Sequence, residues 1–200
     1  MASVLLAFKD EYERKISEIK EKYKNILEFP DFTLGDIFKG CLIWKYDNRI
    51  AVAKPVKFLV TKLIVNDNLY ELKDEYIQEM DALIIFYLVK EEDGYQIIDI
   101  RTVEREEFFT HHTFRGIRHP NISLEGSTCL GESDDVKGSV VSSIKDLYSY
   151  FDRVVEILET ANDDSRYKRV EWVERIKRMI GNGDSSFAKE TTNLDKTWSV

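Results

Sequence analysis

Cysteine, proline and histidine are all scarce: two, three and three in 200 residues. Two cysteines, Cys41 and Cys129, are too few and too irregularly placed for a secreted disulfide scaffold, so free thiols in a reducing, cytoplasmic setting are expected. Three histidines and two cysteines without metal-ligand spacing argue against a structural zinc site. No stretch of about 18 apolar residues exists, so no membrane span is expected. Met1 to Phe8 is apolar but short and lacks a basic leader, and Lys9-Asp10-Glu11 follows at once, unlike a signal peptide. The formal net charge is −8, the wrong sign for a general nucleic-acid binder, which needs clustered Lys and Arg.

What is present is enough for one sizeable core: 43% of residues are hydrophobic and 12% aromatic. The division expected is one domain over residues 1–183 and a polar tail over 184–200. Leu5, Phe8, Tyr12, Ile16, Ile19, Tyr23 and Ile26 recur at helical spacing and predict an amphipathic helix over 3–28, ending before Pro30. Two short strands, 41–46 and 49–54, around Asp47-Asn48 compete with a helix over 34–44. Strands are expected over 56–65 and 82–89, the latter joined through Glu91-Glu92-Asp93-Gly94 to a strand over 95–100. Residues 105–139 carry little periodicity, yet hold all three histidines, one cysteine and four of the nine glycines, as functional irregular segments often do. A strong apolar stripe from Val140 to Leu158 predicts a helix. A second helix is expected from about Arg166 to Ile180, capped by Asn162-Asp163-Asp164-Ser165 and stopped at Gly181-Asn182-Gly183. Segregated strands and helices in this order indicate an α+β domain.

The segment His119-Pro120-Asn121-Ile122-Ser123-Leu124-Glu125-Gly126-Ser127-Thr128-Cys129-Leu130 carries the chemistry. It resembles the active-site segment of the ubiquitin-conjugating enzymes: His-Pro-Asn-Ile, three variable residues, Gly, two more, then Cys-Leu. His119, Pro120, Asn121, Ile122, Gly126, Cys129 and Leu130 match in register. The resemblance implies the ubiquitin-conjugating-like fold, with an N-terminal helix, an antiparallel β-meander, the irregular segment and two C-terminal helices. It also implies a transferase that holds a ubiquitin-like modifier as a thioester on Cys129. Asn121 would then be the oxyanion donor, and Asp164, or Asp163, would assist an incoming amine. His119, Pro120 and Gly126 would shape the loop. The partners implied are an activating enzyme, the modifier and a target protein. No cofactor is implied, because the ATP-dependent step belongs to another protein.

The chemistry suits these residue types. A thiol near its ordinary pKa is only a few per cent thiolate at neutral pH but strongly nucleophilic, and the thioester it forms is activated toward amines. Attack creates an oxyanion that a fixed amide can stabilise, while a carboxylate can orient or deprotonate the amine. Glu132, Asp134 and Asp135 follow the thiol closely and would oppose thiolate formation if near it. Cys41 reads as a small buried hydrophobe, and His111 and His112 as loop residues.

Departures from the family include the absent Tyr-Pro-Phe and Pro-Pro segments and the absence of Trp between Gly131 and Gly138. They point to the distant prokaryotic or viral conjugating-like proteins, whose later Tyr and Trp resemble Tyr167 and Trp172 beside Ser165 and Arg166. The alternative is a catalytically silent interaction or structural module of the same fold. A cysteine hydrolase using His111 or His112 has no supporting signature.

Overall fold

The computed structural model describes residues 14–15, 40–46, 49–131, 136–163 and 170–193. Arg14 and Lys15 are helical, within the helix expected over 3–28. The remainder of that helix lies outside the described residues, as do Asp164 to Arg169 and Leu194 onward.

The chain is α+β. Five strands form an antiparallel sheet in the order β1 (Leu42–Tyr46), β2 (Arg49–Val60), β5 (Gln78–Glu91), β6 (Gly94–Glu104), β7 (Val140–Val141). A second, mixed sheet runs β8 (Thr160–Asn162), β3 (Lys62–Val65), β4 (Asn68–Leu72), β9 (Ala188–Asn193), with β3 and β8 parallel. Three helices of five residues or more occur among the described residues: α1 (Arg105–His111), α2 (Ile144–Leu158) and α3 (Glu171–Gly181). None is long and apolar enough to cross a membrane.

Alternation in β5 explains how the first sheet buries both faces. Ala82, Ile84, Phe86 and Leu88 join the main core, while Leu83, Ile85 and Tyr87 join a smaller cluster with Ala51, Ala53 and Val103. The continuous apolar run that marks a covered central strand is therefore two interleaved faces. The main core is closed by α2, whose Phe151 stacks on Phe86 with ring centroids 4.1 Å apart and planes within 8°. Leu147, Val154 and Leu158 lie on the same buried stripe of α2. Ser143 caps that helix by accepting from the Asp146 N–H, and the Asp146 carboxylate accepts in return from the Ser143 N–H.

The expected boundaries move in several places. The meander is not continuous, because the β3–β4 hairpin leaves the first sheet between β2 and β5 and founds the second. The hairpin turns at Asn66 and Asp67, both in the left-handed region that such tight turns require. The expected strand over 56–65 is divided at Thr61, and its first part continues β2 through Pro55. Pro55 lies beyond the last β1 partner, Ala53, where one edge of β2 is unpaired among the described residues and a missing N–H is tolerated. Val140 and Val141 are strand, not helix, and α2 begins after the Ser143 cap.

The last helix starts at Glu171, so its N-cap is Val170 and not the Asn162–Ser165 segment. Helix α1 falls in the stretch expected to be irregular. It is closed by His112, which sits at φ 55° and donates its N–H to the Phe108 carbonyl. Residues 188–193, expected within a polar tail, form β9 on β4, and Phe187 beside them is buried against Tyr70 and Tyr76.

Candidate thiol site

The segment 116–130 folds back on itself and is stitched to β6. Ile122 and Thr128 form an antiparallel bridge. The Cys129 N–H donates to the Asn121 carbonyl at 2.8 Å, and the Ser123 N–H to the Ser127 carbonyl at 2.9 Å. The Thr128 N–H donates to Ile100 and the Thr102 N–H to the Gly126 carbonyl, while the Thr102 and Thr128 hydroxyls meet at 2.9 Å. The eight-residue step from Asn121 to Cys129 is thus the length of a closed loop whose two ends pair. Cys129 is a free thiol, partly exposed, whereas Cys41 is buried, and burial pushes the Cys41 thiol up.

Gly126 is required by space as well as by conformation. Its φ is +86°, and a Cβ there would stand 2.6 Å from Val103 Cγ1 and 3.2 Å from the Thr102 carbonyl oxygen. Gly116 is tighter still, with a Cβ falling 1.9 Å from the Ser123 carbonyl oxygen. Gly116 carries no motif signal; only the return of residue 123 across it makes glycine necessary.

His119 is wholly buried. Its Nε2 lies 2.9 Å from the Leu158 carbonyl, and its Nδ1 lies 3.1 Å from the Asn121 N–H. A carbonyl can only accept and a backbone N–H can only donate, so the ring is the neutral tautomer with its proton on Nε2. Leu158 is the last residue of α2, where helical carbonyls lack an intrahelical partner. The imidazole therefore ties the end of α2 to the residue that pairs with Cys129.

Asn121 is 93% buried by the same packing, with 7% exposure. Its Oδ1 accepts from the Asn162 N–H at 2.8 Å, which orients the carboxamide and leaves its Nδ2 without an acceptor among the described residues. Asn162 belongs to β8, so the strand after α2 sets the orientation of the amide. Pro120 is buried in the same turn. Trp172 donates its indole N–H to the Arg118 carbonyl at 3.3 Å, bringing α3 against the start of the segment.

Asp164 lies outside the described residues. Asp163 follows Asn162, but its carboxylate is paired with Lys177 on α3 at 2.7 Å and is largely buried. That hydrogen bond holds the Lys177 ammonium above its ordinary pKa. His111 and His112 are exposed at the end of α1. Glu132, Asp134 and Asp135 also lie outside the described residues. Among the described residues no group of three or more His, Cys, Asp or Glu is arranged to hold a metal ion.

The arrangement joins one accessible thiol, one oriented amide and one structural imidazole. No family model, curated protein or solved structure matches the chain.

Proposed function

We propose that this protein is a ubiquitin-conjugating-like transferase that carries a small ubiquitin-like modifier as a thioester on Cys129 and passes it to an amine. The observation that supports the reading most is the pairing of Cys129 with Asn121. Two residues matched only by a sequence pattern are joined by a 2.8 Å backbone hydrogen bond, and the Asn121 carboxamide is held by the Asn162 N–H, with no acceptor for its donor end among the described residues. A fixed amide donor beside an acyl-bearing sulfur is what stabilises the oxyanion formed when an amine attacks a thioester. The finer fold reading, the ubiquitin-conjugating arrangement with its helix, antiparallel strands, irregular segment and two helices, belongs to the same proposal. So do the partners: an activating enzyme, the modifier and a target protein.

In the transfer, the thiolate of Cys129 attacks the activated acyl carbon and expels the activating group. An amine then attacks the thioester carbon, and the sulfur leaves as thiolate while the amine loses a proton. Asp164 is the proposed acceptor or orienting group for that amine. A second reading, a silent interaction module of the same fold, is favoured by the ion pair that engages Asp163 with Lys177, which leaves that carboxylate poorly placed to act as a base.

The test mixes purified protein with ATP and candidate activating enzymes and modifiers, and looks for an adduct cleaved by reductant. The adduct should vanish in Cys129→Ala. An adduct that persists in that variant removes the proposal. Iodoacetamide alkylation of the native protein separates the two readings, since a thiol that resists it at neutral pH belongs to the silent module.

A further inference from the structure

Strand β8 joins the thiol loop to the second sheet. It is a short strand, Thr160–Asn162, and it pairs in parallel with Lys62 to Ile64 of β3. The N–H groups of a strand point alternately to its two edges. The Asp163 N–H donates to the Ile64 carbonyl at 3.0 Å, on the β3 side. The Asn162 N–H therefore points to the opposite edge, where it donates to Asn121 Oδ1 at 2.8 Å. The aim of the Asn121 carboxamide thus depends on how firmly the end of β8 is held.

Two contacts of Asp163 hold it. One is its N–H on β3. The other is its carboxylate, which meets Lys177 Nζ on α3 at 2.7 Å. Glu174, three residues before Lys177 on the same helix, steadies that ammonium at 3.4 Å. The Asp163 side chain is 19% exposed and that of Lys177 36%, so salt screens this pair less than a fully exposed one. Helix α3 has other anchors: Val173 and Ile176 are buried in the core, and Trp172 donates to the Arg118 carbonyl. The ion pair is therefore not what docks α3. What it fixes is the residue next to Asn162.

We infer, on the reading of Cys129 as a thioester carrier, that Lys177 is a positioning residue for the transfer: by holding Asp163 it fixes the Asn162 N–H, and through it the aim of the Asn121 amide donor. Asp163 then serves through its grip on Lys177 and not as a proton acceptor. Removing the ammonium frees Asp163 and leaves it near a second carboxylate, Glu174, so the end of β8 loosens while α3 stays in place.

The test uses the full chain and a fluorescein-labelled glycylglycine thioester of mercaptoethanesulfonate. The Cys129 thiolate attacks its acyl carbon and mercaptoethanesulfonate leaves as thiolate, so no activating enzyme is needed. Cys129→Ala supplies the blank. Discharge of the loaded protein to free lysine is then timed. Lys177→Met should slow discharge by about 3–10-fold, because the amide is misaimed and not deleted. Lys177→Arg keeps the pairing charge and should stay within about two-fold of the native rate. In an Asn121→Ala background Lys177→Met should add nothing, since the group it positions is gone. Lys189→Met breaks an ion pair of the same 2.7 Å length at the far edge of the same sheet and should leave discharge unchanged.

Hydrogen exchange gives a readout that needs no acyl group. The Asn162 N–H should exchange at least about three-fold faster in Lys177→Met, while the Phe151 N–H in α2 keeps its rate. Native exchange at Asn162, or equal acceleration at Phe151, would overturn the inference. So would equal slowing by Lys177→Met with and without Asn121, the mark of a general structural role. Discharge that depends on Asn121 but not on Lys177 would overturn it and spare the reading of the site. A thiol that cannot be loaded, or discharge indifferent to Asn121→Ala, would overturn both.

Discussion

Replacing His119 tests whether the loop bearing Cys129 is built the way its hydrogen bonds indicate. The imidazole is fully buried and spends both nitrogens on backbone groups, Nε2 on the Leu158 carbonyl and Nδ1 on the Asn121 N–H. In His119→Ala both backbone groups lose their partner, each at about 1–3 kcal/mol, and a side-chain-sized void is left, for a loss of about 3–5 kcal/mol in all. The conservative variants divide that cost. Gln places a nitrogen donor near the position of Nε2 and keeps the Leu158 bond. Asn places an oxygen acceptor near Nδ1 and keeps the Asn121 bond. Each should lose only one partner, about 1–3 kcal/mol. Urea denaturation with linear extrapolation measures all three. Iodoacetamide alkylation of Cys129 gives a local readout, and should quicken most in the Asn121-detached variants, His119→Ala and His119→Gln. An Ala variant that loses less than about 1 kcal/mol, or a Gln and an Asn variant no better than Ala, would refute the account of the histidine as a two-ended tie.

Asn121→Asp keeps an oxygen to accept from the Asn162 N–H but removes the amide donor, so the fold should persist while discharge of a Cys129 thioester to an amine slows by about 10²–10³-fold in single-turnover assays. Gly126→Ala forces a Cβ onto Val103 and a non-glycine residue to φ +86°, and should cost about 1–3 kcal/mol in urea denaturation. Ser143→Ala removes the cap of α2 and should cost about 1 kcal/mol by the same measurement. Hydrogen bonds from the Ser142 hydroxyl and from Ser143 hold the Asp146 carboxyl below its ordinary value. Its stabilising contribution is therefore complete above the unfolded pKa and is lost as pH falls through the lower folded one. Urea midpoints measured downward from pH 6 should show that loss in the native protein and lack it in Asp146→Asn.

Much of the architecture is local in origin and was readable from the chain. The apolar stripe of α2 survives because Leu147, Phe151, Val154 and Leu158 recur at the helical period, and the β5–β6 hairpin because apolar runs flank a short polar turn. The site is less evenly legible. Cys129 and Asn121 stand out through a motif, and their contact follows from a loop short enough to close on itself. Helix α1 escaped because seven residues give too little periodicity to see. Strand β9 escaped because Lys189, Glu190 and Thr191 look like tail until Phe187 anchors them beside Tyr70 and Tyr76. Trp172 drew notice as a family-like residue, whereas its bond to the Arg118 carbonyl depends on how α3 docks.

Residue order alone determined the helix and strand periods and the α+β character, because these depend on neighbours a few residues apart, whereas Asn121 and Cys129 were singled out through a motif resemblance. Tertiary structure decided what orients them. The Leu158 carbonyl meets His119 across 39 residues, the Asn162 N–H meets Asn121 across 41, and Lys177 claims Asp163 only once α3 has packed. Backbone groups carry no side-chain signature. Their roles arise when the end of α2 and strand β8 are brought against the loop, and no pattern along the chain encodes that meeting.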